Sequence, residues 1–197
     1  TSQAIAIVEA AGFDVVLVET VGVGQSEIAV AQMVDTFLLL ALARSGDQLQ
    51  GIKKGVLEIA DVIAVNKADG DHRADARMAA RELSGALRLV HAGASGWVPR
   101  AVTCSGQTGD GIDDVWALVA AHRDSLGADG LARKRAEQQW SLVEATVRDE
   151  VLDRLRRSPA VIAATDDARS RVLSGDLPAA AAADLILDAM YPTSGRG

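Results

Sequence analysis

Gly12–Glu27 reads GFDVVLVETVGVGQSE. Phe13–Val18 is a short, nearly all-apolar run rich in β-branched residues, the pattern of a central strand buried on both faces of a parallel sheet. Glu19 stands where that strand runs out, and Thr20, Val21, Gly22 and Gly24 follow it. The reading therefore delivers a carboxylate and two permissive backbone positions to the carboxyl edge of a sheet, where open α/β sheets bind ligands. In phosphate chemistry the acid holds Mg²⁺, directly or through water, and a glycine lets a backbone N–H approach a γ-phosphate. Taken alone, E-x-x-G is also what a strand ending in a polar turn looks like.

A second strand end weighs against the turn. Asp61–Val65 (DVIAV) is another apolar run, and it leads into Asn66, Lys67, Ala68, Asp69 and Gly70. N-K-x-D after a buried strand suits guanine. The Asp69 carboxylate accepts from the guanine N1–H and exocyclic amine, while Asn66 and the Lys67 stem hold the loop and the base plane. Adenine leaves that carboxylate unpaired, a penalty that supports discrimination of roughly 10⁴ or more. The competing account is turn chemistry of Asn and Asp alone.

With 197 residues the chain can bury one core plus an appendage. Hydrophobic residues reach 49%, so a folded globular chain is expected. Aromatics at 3% and a net charge of −7 oppose base stacking and phosphate-backbone binding, and a nucleic-acid partner is not expected. Cys104 is the only cysteine, which excludes an internal disulfide and a multi-cysteine metal site and fits a reducing cytoplasm. No apolar run approaches the ~18 residues of a membrane span, so no membrane association is expected. The three histidines, His72, His91 and His122, lie scattered in polar surroundings and predict no metal triad.

Along the chain, Ser2–Ala11 reads as a helix capped by Gly12. A second helical pattern opens at Ser26, and Thr36–Ala43 (TFLLLALA) reads as a buried strand. The polar loop Arg44–Gln50 then leads into a helix from about Gly51 to Ile59. That loop serves equally as a helix cap, through Ser45 or Asp47, or as part of the ligand edge. Arg73–Val90 is an amphipathic helix, Arg100–Thr103 an edge strand, and Ile112 to about His122 a helix. Ser125–Gly130 reads as a linker. Leu131–Arg157 is then one helical pattern of about 40 Å, with Ala136, Trp140, Val143, Val147, Val151 and Leu155 as its apolar stripe. Ser158-Pro159 breaks it, and two shorter helices follow. The stripe exceeds what its two short partners cover, so a partner subunit or the chain's own sheet must cover it. The domain division expected is 1–128 for the α/β core and 129–197 for a helical extension.

These residues resemble the MeaB/ArgK family of GTPases, bacterial relatives of human MMAA, over about Ala4 to Met190. The resemblance is carried by ETVGVGQSE (Glu19–Glu27), RSGDQLQGIKKG (Arg44–Gly55) and NKADG (Asn66–Gly70), more weakly by Cys104-Ser105-Gly106, and by RKRAEQQW (Arg133–Trp140). It implies a parallel-sheet P-loop NTPase core of the α/β class with an all-α C-terminal dimerisation arm. In that core Glu19 takes the Walker B position and the metal, Gly22 meets the γ-phosphate, and Gln25 orients water. Asn66, Lys67, Asp69, Ser105 and Gly106 bind the nucleotide. Asp47, Gln50 and Lys53 couple it to a partner. Family members use GTP/GDP and Mg²⁺ and act as homodimeric chaperones of adenosylcobalamin-dependent methylmalonyl-CoA mutase. Trp140, Val143, Val147 and Val151 are then the dimer interface.

One departure is large. The G-x-x-x-x-G-K-[ST] loop, which supplies most phosphate contacts, occurs nowhere in the chain. This and the missing initiator Met predict an N-terminal segment upstream of Thr1, without which the piece is inactive as a hydrolase. A rival expectation is a non-catalytic dimerisation and docking module. Older family naming, a kinase or ATPase linked to lysine/arginine/ornithine transport, finds no phosphoacceptor among these residues.

Overall fold

Three parallel strands organise the N-terminal part of the computed structural model, which describes residues 2–20, 26–42, 54–93 and 96–190. Their order is β1 (Leu38–Leu42), β2 (Val62–Asn66), β3 (Arg100–Thr103). Leu38 pairs with Val62 and Val62 with Arg100, so all three strands start in register. β2 is central, and Val62, Ile63, Ala64 and Val65 are fully buried on both faces, which is why its sequence is continuously apolar. The period of two sorts them. Ile63 and Val65 join Leu39 and Ala41 in a cluster with Ala76, Leu83 and Leu87 of a helix at Arg73–Val90, whereas Ala64 packs with Cys104 and Val115 on the other face.

Among the described residues the helices in chain order are α1 (Ser2–Ala10), α2 (Ser26–Ala31), α3 (Lys54–Ile59), α4 (Arg73–Val90), α5 (Ile112–Arg157), α6 (Pro159–Leu173) and α7 (Ala179–Asp188). Gly12 ends α1 at φ +92°, the left-handed cap its position predicts. Ser158 caps α6 by accepting from the Val161 N–H, and Pro159 takes the first helical position.

Four expectations change. Phe13–Val18 forms no strand: it has no ladder among the described residues, and Phe13 and Leu17 stand 64% and 86% exposed. A β-branched apolar run favours extended backbone, but a strand exists only where a neighbour completes its hydrogen bonds. β1 is buried on one face only, since Leu38, Leu40 and Leu42 are exposed. The linker at 125–130 is helical apart from one break at Gly127 (φ 62°, ψ 175°) inside α5. His122, read from its polar neighbours along the chain as a scattered polar residue, is buried, 2% exposed.

His122 anchors α5 to the amino ends of the strands. Its Nδ1 lies 2.8 Å from Thr36 Oγ1 and its Nε2 3.2 Å from Asp61 Oδ1. Asp61 Oδ2 also accepts from the Phe37 N–H at 2.8 Å, and Trp97 donates to the Asp61 carbonyl and meets the His122 ring edge-on. Burial, opposed by Asp61, lowers the His122 pKa. The imidazole is therefore neutral at pH 7, its Nε2–H donating to Asp61 and its Nδ1 accepting from Thr36. Past Gly127, Lys134 donates to the Asp35 carbonyl at 2.7 Å, and Arg135 grips the Asp35 carboxylate through two nitrogens. Hydrogen bonding to Arg135 holds the Asp35 carboxyl below its ordinary value, and Asp35 in turn raises the Arg135 pKa.

The chain divides into two compact units, Thr1–Gln138 and Gln139–Gly197. In the second, α6 and α7 pair around Val161, Ala168 and Ala182. Among the described residues no helix is long and apolar enough to cross a membrane.

Candidate functional site: the carboxyl edge of the sheet

β2 and β3 deliver two loops side by side. The ladder continues past both strand ends: Cys104 donates its N–H to the Val65 carbonyl at 2.9 Å, and Ala68 donates to the Cys104 carbonyl at 3.0 Å. This places the Asn66–Gly70 loop against Cys104–Gly111. Asn66 Oδ1 accepts from the Lys67 N–H at 2.7 Å and from the Gly106 N–H at 3.0 Å, so its amide ties one loop to the other. Lys67 takes φ 61°, uncommon for a non-glycine residue, and its side chain is exposed.

Ser105 is fully buried, and its hydroxyl is the second tie. It donates to Asp69 Oδ2 at 2.5 Å and accepts from the Gln107 and Thr108 N–H groups at 3.2 and 3.1 Å. One Asp69 oxygen is thereby fixed, while Oδ1 has no partner among the described residues. A half-satisfied carboxylate oriented by its neighbour is set to accept donors from a ligand. Burial pushes the Cys104 thiol up, so it stays protonated beside Asn66 Oδ1 at 3.9 Å.

Of the sequence-selected residues, the structure unites Asn66, Lys67, Asp69, Ser105 and Gly106 at this edge. Glu19 is exposed and follows the unpaired Phe13–Val18 segment. Gly22, Gln25, Asp47, Gln50 and Lys53 lie outside the described residues. No group of three His, Cys, Asp or Glu side chains converges among the described residues. The exposed Glu19 carboxylate is a hard oxygen donor, the ligand type Mg²⁺ takes. Trp140, Val143, Val147 and Val151 are all exposed on α5.

Sequence reasoning missed how the second loop closes. The Asp110 carbonyl accepts from the Ser105 N–H at 2.8 Å, and Gly111 sits at φ 72° where a Cβ would lie 2.3 Å from the Thr103 carbonyl oxygen. Two glycines flanking Asp110 were the available signal.

The fold is that of part of a P-loop GTPase, α/β with a parallel sheet: the solved structure of the LAO/AO transport system kinase superposes with a TM-score of 0.81 at 34% identity, covering 96% of this chain and 61% of that one. A family model described as methylmalonyl Co-A mutase-associated GTPase MeaB matches residues 1–160. The chain belongs to the MeaB family. A Mycobacterium tuberculosis (strain ATCC 25618 / H37Rv) protein named as a probable GTPase is 52% identical over 189 residues, 95% of this chain and 56% of its own. The Mus musculus methylmalonic aciduria type A homolog, mitochondrial, is 39% identical over 190 residues, 96% of this chain and 46% of its own. The chain spans about half the length of these curated relatives.

Proposed function

We propose that the intact protein binds GTP and GDP, hydrolyses GTP with Mg²⁺, and acts as a homodimeric cytoplasmic chaperone that gates adenosylcobalamin loading of methylmalonyl-CoA mutase. The observation that carries the nucleotide reading is the Asn66–Gly106 and Ser105–Asp69 pair of ties, 3.0 and 2.5 Å long, across two adjacent loops. They hold Asp69 ready for the two donors of guanine and fix the loop that carries Gly106. The Lys67 stem covers the base.

Mg²⁺, when bound, neutralises charge developing on the phosphates. Glu19 would hold it, the Gly22 amide would meet the γ-phosphate, and Gln25 would orient the attacking water. Asp47, Gln50 and Lys53 are proposed to pass the nucleotide state to the mutase, and Trp140, Val143, Val147 and Val151 to form the dimer interface. The absence of G-x-x-x-x-G-K-[ST] from residues 1–197 favours a second reading, a docking module without catalysis, for this piece taken alone.

Asp69→Asn in the intact protein tests the base assignment. Asn offers one acceptor and one donor where guanine presents two donors, so affinity should move from GDP toward XDP. Unchanged GDP affinity with undiminished rejection of XDP would falsify it. Pull-down of the intact protein with methylmalonyl-CoA mutase, with and without GTP, tests the chaperone role. Capture that ignores the nucleotide counts against gating.

A further inference from the structure

We infer that Arg73 and Asp110 form a latch that closes the two base loops on each other from outside and sets how long a guanine nucleotide stays bound; the inference rests on the guanine reading of this edge. An Arg73 terminal nitrogen lies 3.0 Å from Asp110 Oδ2, joining residues 37 positions apart. The two loops are already tied internally by Ala68 to Cys104 and by Ser105 to Asp69. The latch joins their far ends.

Both latch residues are held by backbone. Arg73 begins α4 directly after the 3-10 turn Gly70–His72, and its N–H returns to the Gly70 carbonyl. Asp110 accepts the Ser105 N–H on its carbonyl, donates its own N–H toward Thr108 Oγ1 at 3.4 Å, and precedes Gly111, which has no room for a side chain. Displacing Asp110 therefore displaces Ser105, and with it the hydroxyl that orients Asp69. The side chains are 53% and 62% exposed, so the ion pair adds little to global stability. Its effect falls on loop geometry. Arg73 and Asp110 are thus positioning residues that act through Ser105 and Asp69.

The test uses the intact protein and fluorescently labelled GDP. Arg73→Ala and Asp110→Ala should each speed GDP dissociation about two- to five-fold, with melting temperature unchanged. The exchanged pair, Arg73→Asp with Asp110→Arg, should restore the slow rate, which loss of local packing would not permit. In nucleotide-free protein, amide hydrogen exchange across Ser105–Thr108 should quicken in each single variant and return in the exchanged pair. Wild-type dissociation and exchange rates in both single variants, or an exchanged pair as fast as the singles, overturn the latch. A wild-type protein that binds GDP and discriminates through Asp69 while the latch variants behave normally loses the latch alone; one that binds no GDP loses both readings.

Discussion

The Ser105 hydroxyl serves three partners at once at the carboxyl edge of the sheet: it donates to Asp69 and accepts from the Gln107 and Thr108 N–H groups. Ser105→Ala removes the donor that fixes Asp69 and leaves two N–H groups of the loop without their acceptor. A hydrogen bond to a charged group contributes about 1.5–3 kcal/mol, so guanine-nucleotide affinity of the intact protein should fall roughly ten-fold or more by titration with GDP. An affinity within two-fold of wild type would mean the loop finds other acceptors. Gly111 supplies the companion case. An alanine there meets both a φ of 72° and a Cβ only 2.3 Å from the Thr103 carbonyl oxygen. Gly111→Ala should destabilise the first unit by about 2 kcal/mol or more, read as a lowered melting temperature. Asn66 and Asp69 were legible in the sequence because N-K-x-D is local. Asp110 and Gly111 were not, because their partners, Ser105 and Thr103, are reached only once the loop has folded back.

At the level of elements, α5 and the strand starts share one polar network, and its pH response follows from His122. Asp61, Asp35, Thr36, Lys134 and the Trp97 ring are the groups that face it. Burial holds its folded pKa below the ordinary 6.5. Above pH 6.5 neither folded nor unfolded chain carries the proton and nothing is lost. As pH falls through 6.5 the unfolded chain takes up the proton first, and stability declines until the folded imidazole titrates as well. The urea midpoint should therefore drop between pH 7 and pH 5, and drop less in His122→Gln. Asp35 does not confuse the measurement: its carboxyl is held below 3.8, so its contribution persists above that value and is lost only at lower pH. Equal slopes in wild type and His122→Gln would remove His122 from the account.

For the whole molecule, the apolar stripe of α5 is the surface the proposed dimer uses. Trp140 is 63% exposed, and Val143, Val147 and Val151 beside it at helical spacing are exposed as well. Burying each is worth roughly 1.5–3 kcal/mol, enough for a stable pair when repeated across a two-fold axis. Under the proposed dimer, Trp140→Glu with Val147→Glu gives a well-folded monomer in sedimentation, whereas substitution of Asp149 or Asp153 leaves the dimer. A double variant that still sediments as a dimer would move the interface elsewhere.

By itself the sequence determined what depends on neighbours along the chain: the buried run of β2, the amphipathic period of α4 over Arg73–Val90, the short β3, the glycine cap of α1 and the N-K-x-D loop. Each is written in side-chain periodicity or turn chemistry over a few consecutive residues. Only the tertiary structure decided matters that depend on distant partners. Phe13–Val18 has the composition of a strand and no ladder among the described residues. His122 sits among charged residues in sequence and is buried because Thr36, Asp61 and Trp97 converge on it. Gly127 interrupts α5 at one residue instead of opening a linker. Ser105 and Asp69, 36 positions apart, become one site because β2 and β3 end side by side. Strand pairing and burial are properties of contacts, and contacts between remote residues exist only after the chain has folded.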